Sequence, residues 1–349
     1  MPAALREQPD ATLLSAIQHR VPLVRQPFAL MAAELGCNES AVLDGVGRLR
    51  REGLVREISG VFDAPSLGYA QTLVAMRIDA QRLDEAGRIV AGHPGVSHCY
   101  GRSGQLNLWF TLAVAPRSKP RLELTARALG RMCGATDVLL LATLRRYKLH
   151  VRFDARGAGT VAQSSNATAA PAKLTPVAAG DRPTDAQRRA IRALQIDLPT
   201  TQEPFAAIAA EARMDADELL VHAADLLAAG WMRRYAAAVD HHAAGAEANV
   251  LVAWQVDDVR ADRAGQIAAG ESAVSHCYLR TVGKGWPYNF YTMIHGRARE
   301  DCQTCIHRIA AATGMSDCAL LWTIGQYKKR RIHLFTDDQA RWEAAHGLA

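Results

Sequence analysis

The sequence predicts an α+β protein in which one module, half the chain long, occurs twice. Three observations support this prediction: a five-residue string that recurs unchanged, further landmarks that repeat at a nearly constant spacing, and the same order of helical and strand-like segments in each copy. Self-similarity over a long, nearly fixed period indicates duplicated structural units. We therefore expect two equivalent halves.

The repeated string is Val-Ser-His-Cys-Tyr, at residues 96–100 and again at 274–278, and an arginine follows two residues later in both places. Other landmarks keep step with it: Pro27-Phe28 with Pro204-Phe205, Gly53-Leu54 with Gly230-Trp231, Leu73-Val74-Ala75 with Leu251-Val252-Ala253, Asn107 with Asn289, and Tyr147-Lys148 with Tyr327-Lys328. The spacing grows from 177 residues (27 to 204) to 182 residues (107 to 289), because a loop at 283–287 is longer in the second copy.

The composition is that of a globular protein. The chain has 349 residues, 49% of them hydrophobic, which is enough for several buried cores. No apolar run approaches the ~20 residues that span a bilayer, and Arg6, Glu7 and Asp10 are unlike a secretory signal. Seven cysteines, an odd number in a long chain, favour reduced thiols. We expect a cytoplasmic protein with no membrane partner.

Each copy begins with a helical part. Residues 10–63 have the pattern of three short helices followed by a strand pair, the outline of a winged helix-turn-helix. In the third helix, Asn38 is a suitable N-cap and Gly53 a suitable end, and Asp215 and Gly230 take these positions in the second copy. The apolar stripe between cap and glycine consists of Val42, Val46 and Leu49.

The charges of these third helices argue against DNA as a partner. A recognition helix meets phosphates with lysine and arginine, whereas residues 215–229 contain four acidic residues and no lysine or arginine. The first copy's helix is nearly neutral. We therefore predict that the helices are a retained scaffold. The net charge of +6 is compatible with a polyanion or with a small substrate rich in carboxylates, and does not decide between them.

The second part of each copy reads strand, helix, strand, strand, helix, strand, which is the order of a ferredoxin-like α+β sandwich. The predicted elements are 69–79, 81–91, 96–102, 105–115, 119–133 and 137–149, then 249–257, 259–269, 274–280, 289–295, 297–313 and 317–328. Two helices cover one face of such a sheet and leave the other for a partner. The two sheets of this chain are therefore predicted to pair as an internal pseudo-dimer.

These patterns divide the chain into five segments. We predict a winged helix-turn-helix at 1–65, a ferredoxin-like domain at 66–154, a linker at 155–182 rich in Ala, Gly, Ser, Thr and Pro, a degenerate winged helix-turn-helix at 183–245 and a second ferredoxin-like domain at 246–335.

The repeated strand carries the candidate chemistry. Side chains alternate along a strand, so Val96, His98, Tyr100 and Arg102 are expected on one face, with Ser97 and Cys99 on the other. The same spacing applies to His276, Tyr278 and Arg280. Histidine exchanges protons near neutral pH, and the guanidinium fork of arginine suits carboxylates. Each copy is therefore expected to present a surface for an acidic ligand.

The order of domains resembles the Lrp/AsnC family of regulators, and the motifs resemble its siroheme decarboxylase branch more closely. The motifs are Ser97-His98-Cys99-Tyr100 followed by 106–112, and 275–280 followed by Trp286-Pro287-Tyr288-Asn289-Phe290 and 293–296. Copy one departs from the family pattern with Leu106 before Asn107 and with 103–105 in place of a loop histidine. The resemblance implies two fused subunit types that remove the C12 and C18 acetate carboxyl groups of siroheme, giving 12,18-didecarboxysiroheme for heme d1 or heme.

This resemblance implies roles for the residues. His98 and His276 would be the proton donors, with axial ligation of the substrate's iron as the alternative. Trp109, Trp286 and Tyr291 would form a dry aromatic wall against the macrocycle. The full expected substrate-binding set is Tyr100, Arg102, Asn107, Trp109, Tyr278, Arg280, Trp286, Tyr288, Asn289 and Tyr291. No organic cofactor and no resident metal are expected.

Several alternatives stay open from sequence. The chain could be a DNA-binding regulator or heme sensor, and it could associate with itself or with a homologous subunit. Asn107 and Asn289 could bind substrate or close a turn. Lys148 and Lys328 could extend to solvent or contact a substrate carboxylate. Cys302 and Cys305, a lone CxxC, fit a buried helix face better than a metal site, as Cys99 and Cys277 fit a buried strand face, and His241-His242 is expected in an exposed wing or loop.

Overall fold

The computed structural model describes residues 4–118, 120–148, 172–173, 182–239 and 248–348. The chain forms two compact units, and each unit takes a part from both copies. The first combines Met1–Leu67 with Val177–Gly245, and the second combines Gly68–Val151 with Ala246–Ala349. The predicted linker and His241-His242 lie outside the described residues, apart from 172–173 and 182.

Copy one contains, in order, α1 (Ala4–His19), α2 (Pro27–Leu35), α3 (Glu39–Arg51), β1 (Val55–Phe62), β2 (Ala70–Arg77), α4 (Leu83–Gly92), β3 (Val96–Arg102), β4 (Leu108–Val114), α5 (Leu122–Cys133), β5 (Asp137–Leu141) and β6 (Thr143–Lys148). A two-residue strand, β7 (Ala172–Lys173), follows. Copy two contains α6 (Asp185–Leu194), α7 (Pro204–Glu211), α8 (Ala216–Ala228), β8 (Met232–Val239), β9 (Ala248–Trp254), α9 (Asp258–Gly270), β10 (Val274–Arg280), β11 (Phe290–Gly296), α10 (Arg299–Thr313), β12 (Cys318–Lys329) and α11 (Asp338–Ala345).

The helical unit begins and ends its third helices as predicted. The Asn38 carboxamide accepts a hydrogen bond from the Ala41 N–H at 2.8 Å, and the Asp215 carboxylate accepts one from the Glu218 N–H at 2.8 Å. Such caps satisfy backbone donors that the first turn of a helix leaves unpaired. Gly53 and Gly230 follow the helices with φ of +74° and +71°, a conformation that favours glycine.

The predicted strand pair within each helical part is wrong. Each copy supplies a single strand, and β1 pairs antiparallel with β8 of the other copy, from Val55 opposite Val239 to Phe62 opposite Met232. After β1 the chain enters a 3₁₀ turn that begins at Pro65, and proline cannot donate to a strand ladder. The wing is therefore a ribbon shared by both copies.

The sheet unit has the predicted ferredoxin-like topology twice. The strands of copy one lie in the order β5-β2-β4-β3, and those of copy two in the order β12-β9-β11-β10. Helices α4 and α5 cover one face of the first sheet and bury Val74, Leu108 and Phe110. Helices α9 and α10 cover the second sheet in the same way.

The last strand of each copy crosses to the other copy. The first part of β12 pairs with β9, and from Thr323 onward it pairs with β3 of copy one. In copy one the equivalent strand breaks at Ala142, so β5 pairs with β2 while β6 pairs with β10 of copy two. We call β6 and the second part of β12 the exchanged arms. They join both sheets into one ten-stranded sheet, which ends with β7 beside β6.

A third core joins the faces that the helices leave uncovered. It contains residues of both copies: Ala75, Leu106, Trp109, Leu141, Ala253, Tyr291 and Leu321. Burial of apolar surface is the main driving force for such association. The predicted internal pseudo-dimer is confirmed.

The two Tyr-Lys motifs fasten the exchanged arms. The Tyr327 ring packs on Gly87 of α4 so closely that a Cβ there would lie 2.4 Å from it, and the Tyr327 hydroxyl donates to Asp84 at 2.7 Å. The ammonium of Lys328 donates to the Ala91 and His93 carbonyls at 2.7 and 2.9 Å, where α4 ends. A lysine there completes the hydrogen bonds of the helix terminus.

The other motif repeats this arrangement. Tyr147 packs on Gly265 and donates to Asp262 at 2.7 Å, while Lys148 donates to the Glu271 carbonyl at 2.8 Å. Lys148 and Lys328 therefore neither extend to solvent nor point to a substrate carboxylate, the two alternatives that the sequence left open. They bind backbone carbonyls at the ends of helices.

The buried cysteines are core residues. Cys302 and Cys305 belong to the second sheet's core, as expected, and so does Cys277, while Cys99 belongs to the first. Burial raises the pKa of Cys302 to about 11 and that of Cys305 to about 12. Among the described residues, no helix is both long and apolar enough to cross a membrane.

Candidate active site

A bulge sets the direction of the candidate side chains. Val96 lies opposite Leu112 and His98 lies opposite Thr111, so two residues of β3 face one step of β4. The extra residue is Ser97, and it shifts the alternation by one. Val96 therefore joins Cys99 in the helix-covered core, and the prediction that placed Val96 on the histidine face is wrong. The same shift occurs in copy two between Val274 and His276.

Beyond the bulge, His98, Tyr100 and Arg102 form a ladder on the face away from the helices. The His98 and Tyr100 ring centroids are 6.3 Å apart with planes inclined by 28°, and the Arg102 guanidinium carbon is 5.2 Å from the Tyr100 centroid. The structure thus brings these three side chains together as expected.

Copy two repeats the ladder with His276, Tyr278 and Arg280. The corresponding distances are 6.2 Å with planes inclined by 22°, and 4.6 Å. Both contacts are in the range of stacked rings and of a cation over an aromatic face.

Each arginine reaches the last strand of the other copy. Arg102 Nη1 donates to the Leu321 carbonyl at 3.1 Å and to Thr323 Oγ1 at 3.0 Å. Arg280 Nη1 donates to the Leu141 carbonyl at 3.1 Å. It also donates to Thr143 Oγ1 at 2.7 Å. The exchanged arms therefore fix both guanidinium groups.

These two guanidinium charges have no anion beside them among the described side chains. Within the described residues neither arginine forms an ion pair, and the Nε atom of each is buried without a hydrogen-bond partner. Arg102 is 4% exposed, and burial lowers its pKa to about 10; burial also lowers the pKa of Arg280. A buried charge without a partner is costly. Two such sites in symmetric positions are suited to receive carboxylates.

The imidazoles have unequal surroundings. Exposed His98 has Nδ1 3.0 Å from Ser97 Oγ, and half-buried His276 has Nδ1 2.8 Å from Ser275 Oγ. Ser275 Oγ also lies 2.9 Å from His295 Nε2. In copy one the position of His295 is taken by Ala113, which pairs on β4 as His295 does on β11.

Sequence reasoning did not select His295, because the candidates were found through repetition and this histidine is not repeated. The available signal was its place in the motif 293–296, at the end of the strand that pairs with the repeated string.

We call the ladder of each copy, together with the serine before its histidine, the His98 centre and the His276 centre. Arg102 of copy one lies beside the His276 centre of copy two. Its Nη2 lies 3.8 Å from the Met293 sulfur, and Met293 is the cross-strand neighbour of His276. Thr323, which holds Arg102, donates to Asn249 at 2.5 Å, and Asn249 is the cross-strand neighbour of His295. This centre is therefore built from both copies.

The aromatic residues lie deeper than the sequence suggested. Trp109 and Tyr291 are each 1% exposed in the core between the sheets, so neither forms an open wall. Trp109 donates to the Leu106 carbonyl at 2.6 Å, and Trp286 donates to the Tyr291 hydroxyl at 2.8 Å. Burial raises the pKa of Tyr291 to about 12. Of the expected wall only Trp286 is partly exposed.

Tyr288 and the two asparagines bind protein groups. The Tyr288 hydroxyl donates to Asp317 at 3.2 Å. Asn107 accepts from the Ile78 N–H at 2.9 Å and donates to the Ile78 carbonyl at 2.8 Å. Asn289 binds Val256 in the same way, at 3.0 and 2.8 Å. The amides thus extend the strand ladder, which favours the turn-closing alternative for both asparagines.

Comparison with known proteins identifies the family. The AsnC-like ligand binding domain matches residues 66–148 and 243–328, and the siroheme decarboxylase NirDL-like HTH domain matches 10–56 and 187–233. The siroheme decarboxylase of Hydrogenobacter thermophilus is 33% identical over 330 residues, which is 95% of this chain and 96% of that protein. The chain belongs to the siroheme decarboxylase family.

Solved structures of siroheme decarboxylase NirDL have the same fold throughout. One matches with a TM-score of 0.76 at 31% identity and covers 97% of this chain and 98% of its own. Another, a co-complex with an iron-uroporphyrin III analogue, matches with a TM-score of 0.75 at 31% identity and covers 98% of this chain and all of its own.

A further relative has the length of one copy. The siroheme decarboxylase beta subunit of Methanosarcina barkeri is 35% identical over 144 residues, which is 41% of this chain and 95% of that subunit. A part of this siroheme decarboxylase family member, about the length of one copy, therefore corresponds to a protein that elsewhere is a separate subunit.

Proposed function

We propose that the chain is a siroheme decarboxylase that removes the C12 and C18 acetate carboxyl groups of siroheme to give 12,18-didecarboxysiroheme, for heme d1 or an alternative route to heme. The observation that carries this proposal is the pair of guanidinium groups that have a buried, unpaired Nε and no anion among the described residues, each at the end of a His-Tyr-Arg ladder. Family membership supports it, because the relatives that match nearly the whole chain have this activity.

The arginines bind the carboxylates that the substrate keeps. Arg102 and Arg280 are held in place by the exchanged arms, so little side-chain freedom is lost when an anion binds. Each retains an unpaired Nε donor, and hydrogen bonds between guanidinium and carboxylate are stronger than neutral ones. Binding a carboxylate also removes the cost of an isolated buried charge.

Decarboxylation requires a proton for each carbon dioxide released. The bond between the acetate methylene and its carboxylate breaks, the electron pair enters the conjugated macrocycle, and a new C–H bond forms at the methylene carbon. His276 and His98 are the proton donors in this proposal, since a positioned imidazole acts as a general acid near neutral pH. General acid catalysis typically contributes roughly 10²- to 10⁴-fold.

The macrocycle of the substrate itself accepts the electron pair, so the proposal includes no organic cofactor. Iron enters the reaction as part of the substrate. Axial ligation by one of the two histidines is the alternative to proton donation, and imidazole suits it. Across the described ranges, no cluster of three His, Cys, Asp or Glu side chains has the arrangement of a metal site.

The helical unit acts as a scaffold in this proposal. The first turn of α8, the helix that would enter a DNA groove, carries Asp217 and Glu218. Arg25 of copy one binds Asp217, with Nε to Oδ1 at 2.8 Å and Nη2 to Oδ2 at 2.5 Å. A DNA phosphate would meet these carboxylates instead of a row of cations.

The decisive test is incubation of the purified chain with siroheme without oxygen, followed by mass analysis of the tetrapyrrole. We expect loss of one and then two carbon dioxide units. Heat-inactivated protein is the control for spontaneous loss. Tight binding of siroheme with both acetates retained would contradict the proposal, and a salt-sensitive shift of promoter DNA in the same preparation would favour the regulator instead.

A further inference from the structure

We infer that His295 is a positioning residue that supplies, through Ser275, the proton that His276 transfers to the substrate, and that the His276 centre is therefore the more effective proton donor of the two. This inference rests on the proposed decarboxylase function. It assigns unequal tasks to two centres that the repeat makes look equivalent.

Ser275 is the link between the two imidazoles. It is 1% exposed, and its hydroxyl lies 2.8 Å from His276 Nδ1, 2.9 Å from His295 Nε2 and 3.2 Å from the Met293 carbonyl. A serine hydroxyl has one proton to donate and can accept two hydrogen bonds. The carbonyl can only accept, so the direction of the other two bonds depends on the imidazoles.

Three arrangements satisfy this geometry. In the first, the hydroxyl donates to the Met293 carbonyl and both imidazoles donate to Ser275 Oγ. In the second, the hydroxyl donates to His276 Nδ1 while His295 Nε2 donates to Ser275 Oγ, which places the proton of a neutral His276 on Nε2. In the third, the hydroxyl donates to His295 Nε2 while His276 Nδ1 donates to Ser275 Oγ. The proposal takes the second arrangement, in which His295 is a donor and a neutral His276 carries its proton on Nε2, from where it can protonate a substrate.

The proposed step starts from the second arrangement with His295 protonated. His276 Nε2–H gives its proton to the methylene carbon as the bond to carbon dioxide breaks. The Ser275 hydroxyl proton moves to His276 Nδ1, and the His295 Nε2 proton moves to Ser275 Oγ. His276 is neutral before and after, and the positive charge leaves His295. The relay thus avoids leaving an imidazolate at His276.

The described residues of copy one do not repeat this relay. Among the described residues, the only hydrogen-bond partner of Ser97 Oγ is His98 Nδ1, at 3.0 Å. Ala113, at the position of His295, has no transferable proton. His98 is also more exposed than His276. Arg102, by contrast, borders the His276 centre through Met293 and brings an anion-binding group to the side that has the relay.

The test is a proton inventory, in which single-turnover decarboxylation is timed in mixtures of H₂O and D₂O. Several protons moving in one step give a curved dependence of rate on deuterium fraction, whereas one proton gives a straight line. For the native chain we expect a curve. His295→Gln keeps a hydrogen-bond donor without a transferable proton, and Ser275→Ala removes the link. Both should give straight lines and rates about 10- to 100-fold lower, within the range of general acid catalysis, with unchanged siroheme affinity.

Ser97→Ala is the matched variant in copy one, and its loss of rate should be smaller than that of Ser275→Ala. A native rate that depends linearly on deuterium fraction, an unchanged rate in His295→Gln, or a slower His295→Gln that keeps the curve would each overturn the relay. In all three cases native turnover of siroheme would leave the proposed function standing. A native chain that binds siroheme without releasing carbon dioxide would overturn both.

A measurement without turnover supports the test. In protein labelled with ¹⁵N-histidine, the ring shifts of His276 report which nitrogen carries the proton. Ser275→Ala and His295→Gln should change the tautomer balance of His276 and leave that of His98 unchanged. If His276 keeps its native shifts in both variants, the link through Ser275 is refuted, even where a variant is poorly active for reasons of folding.

Discussion

The His98 and His276 centres share one geometry and differ in what surrounds it. Both have the ladder, the serine at the bulge and the guanidinium held by an exchanged arm. Within the part of the chain that the structure describes, only the His276 centre has a second imidazole at hydrogen-bonding distance from that serine. Duplication has thus preserved two buried guanidinium groups, while the hydrogen-bond partners of the serine have diverged. An exact repeat in sequence therefore does not imply two equivalent centres.

The largest expected effect separates the two histidines. His276→Ala should lower the rate of decarboxylation by roughly 10²- to 10⁴-fold with siroheme binding retained, because it removes the general acid. His98→Ala should have a clearly smaller effect. Single-turnover rates and a spectroscopic binding titration of both variants measure this. Equal losses of rate in the two variants would show that the two centres are equivalent.

The next effect concerns the arginines. Arg102→Met should weaken siroheme binding by about 10- to 100-fold, since a hydrogen bond to a charged group contributes about 1.5–3 kcal/mol. The free protein should be as stable as before or more so, because an unpaired buried charge is removed.

Arg280→Met tests the other centre in the same way. Exposed Arg127, which pairs with Glu123 on α5, supplies a control variant, Arg127→Met, that should change neither property. Thermal unfolding and binding titrations are the measurements. A large loss of stability in Arg102→Met would show that the guanidinium is a structural group.

A third prediction concerns the packing of the exchanged arms, which is the same in both halves. Gly87→Ala places a Cβ 2.4 Å from the Tyr327 ring, and Gly265→Ala places one 2.4 Å from the Tyr147 ring. Each should lower the free energy of unfolding by about 1–3 kcal/mol through overpacking. Gly92→Ala, where a Cβ meets nothing within 4 Å, is the control. Urea unfolding that finds one of the first two variants harmless would show that the arms are not equally fastened.

The smallest effect is a dependence of the unfolding free energy on pH, which arises from His93 in copy one. His93 is fully buried, its Nδ1 accepts from the Gly95 N–H at 3.0 Å, and its ring lies 4.3 Å from that of Trp342. Burial, followed by the charges of Lys328 and His346, lowers its pKa from 6.5 to about 3. The neutral form is therefore favoured in the folded state, so its contribution to stability is complete above pH 6.5 and is lost as the pH falls from 6.5 toward 3.

The slope of this loss is at most about 1.4 kcal/mol per pH unit. Copy two has Glu271 at the corresponding position. His93→Asn keeps an acceptor for Gly95 without the titration, so the difference in unfolding free energy between native and variant chains should shrink between pH 6.5 and about 5. A difference that does not change with pH would contradict the assignment.

Local patterns predicted much of the fold. The helix caps at Asn38 and Asp215, the bounds of β3 and β10, and the order of elements in each sheet follow from short-range chemistry and periodicity. The pairing of the sheets followed from their uncovered faces. These features depend on residues close together in sequence, or on one face of one element.

The remaining features depend on distant partners. The bulge at Ser97 is a property of how β3 registers with β4, and the sequence of β3 alone does not contain it. The exchange at Ala142 and Thr323 changes a strand's partner without changing its pattern. Arg102 reads as a surface cation, and it is buried because Leu321 and Thr323, more than 200 positions away, cover it.

The exchanged arms have a consequence for the origin and assembly of the chain. If the two halves were separate proteins, the outer strands β3 and β10 would each have an unpaired edge. Two free halves must find each other in solution, so their stability rises with their concentration. Tethering them in a single polypeptide makes that encounter intramolecular. Dilution should therefore not dissociate the fused enzyme, and a gene fusion of this kind also guarantees equal amounts of both halves.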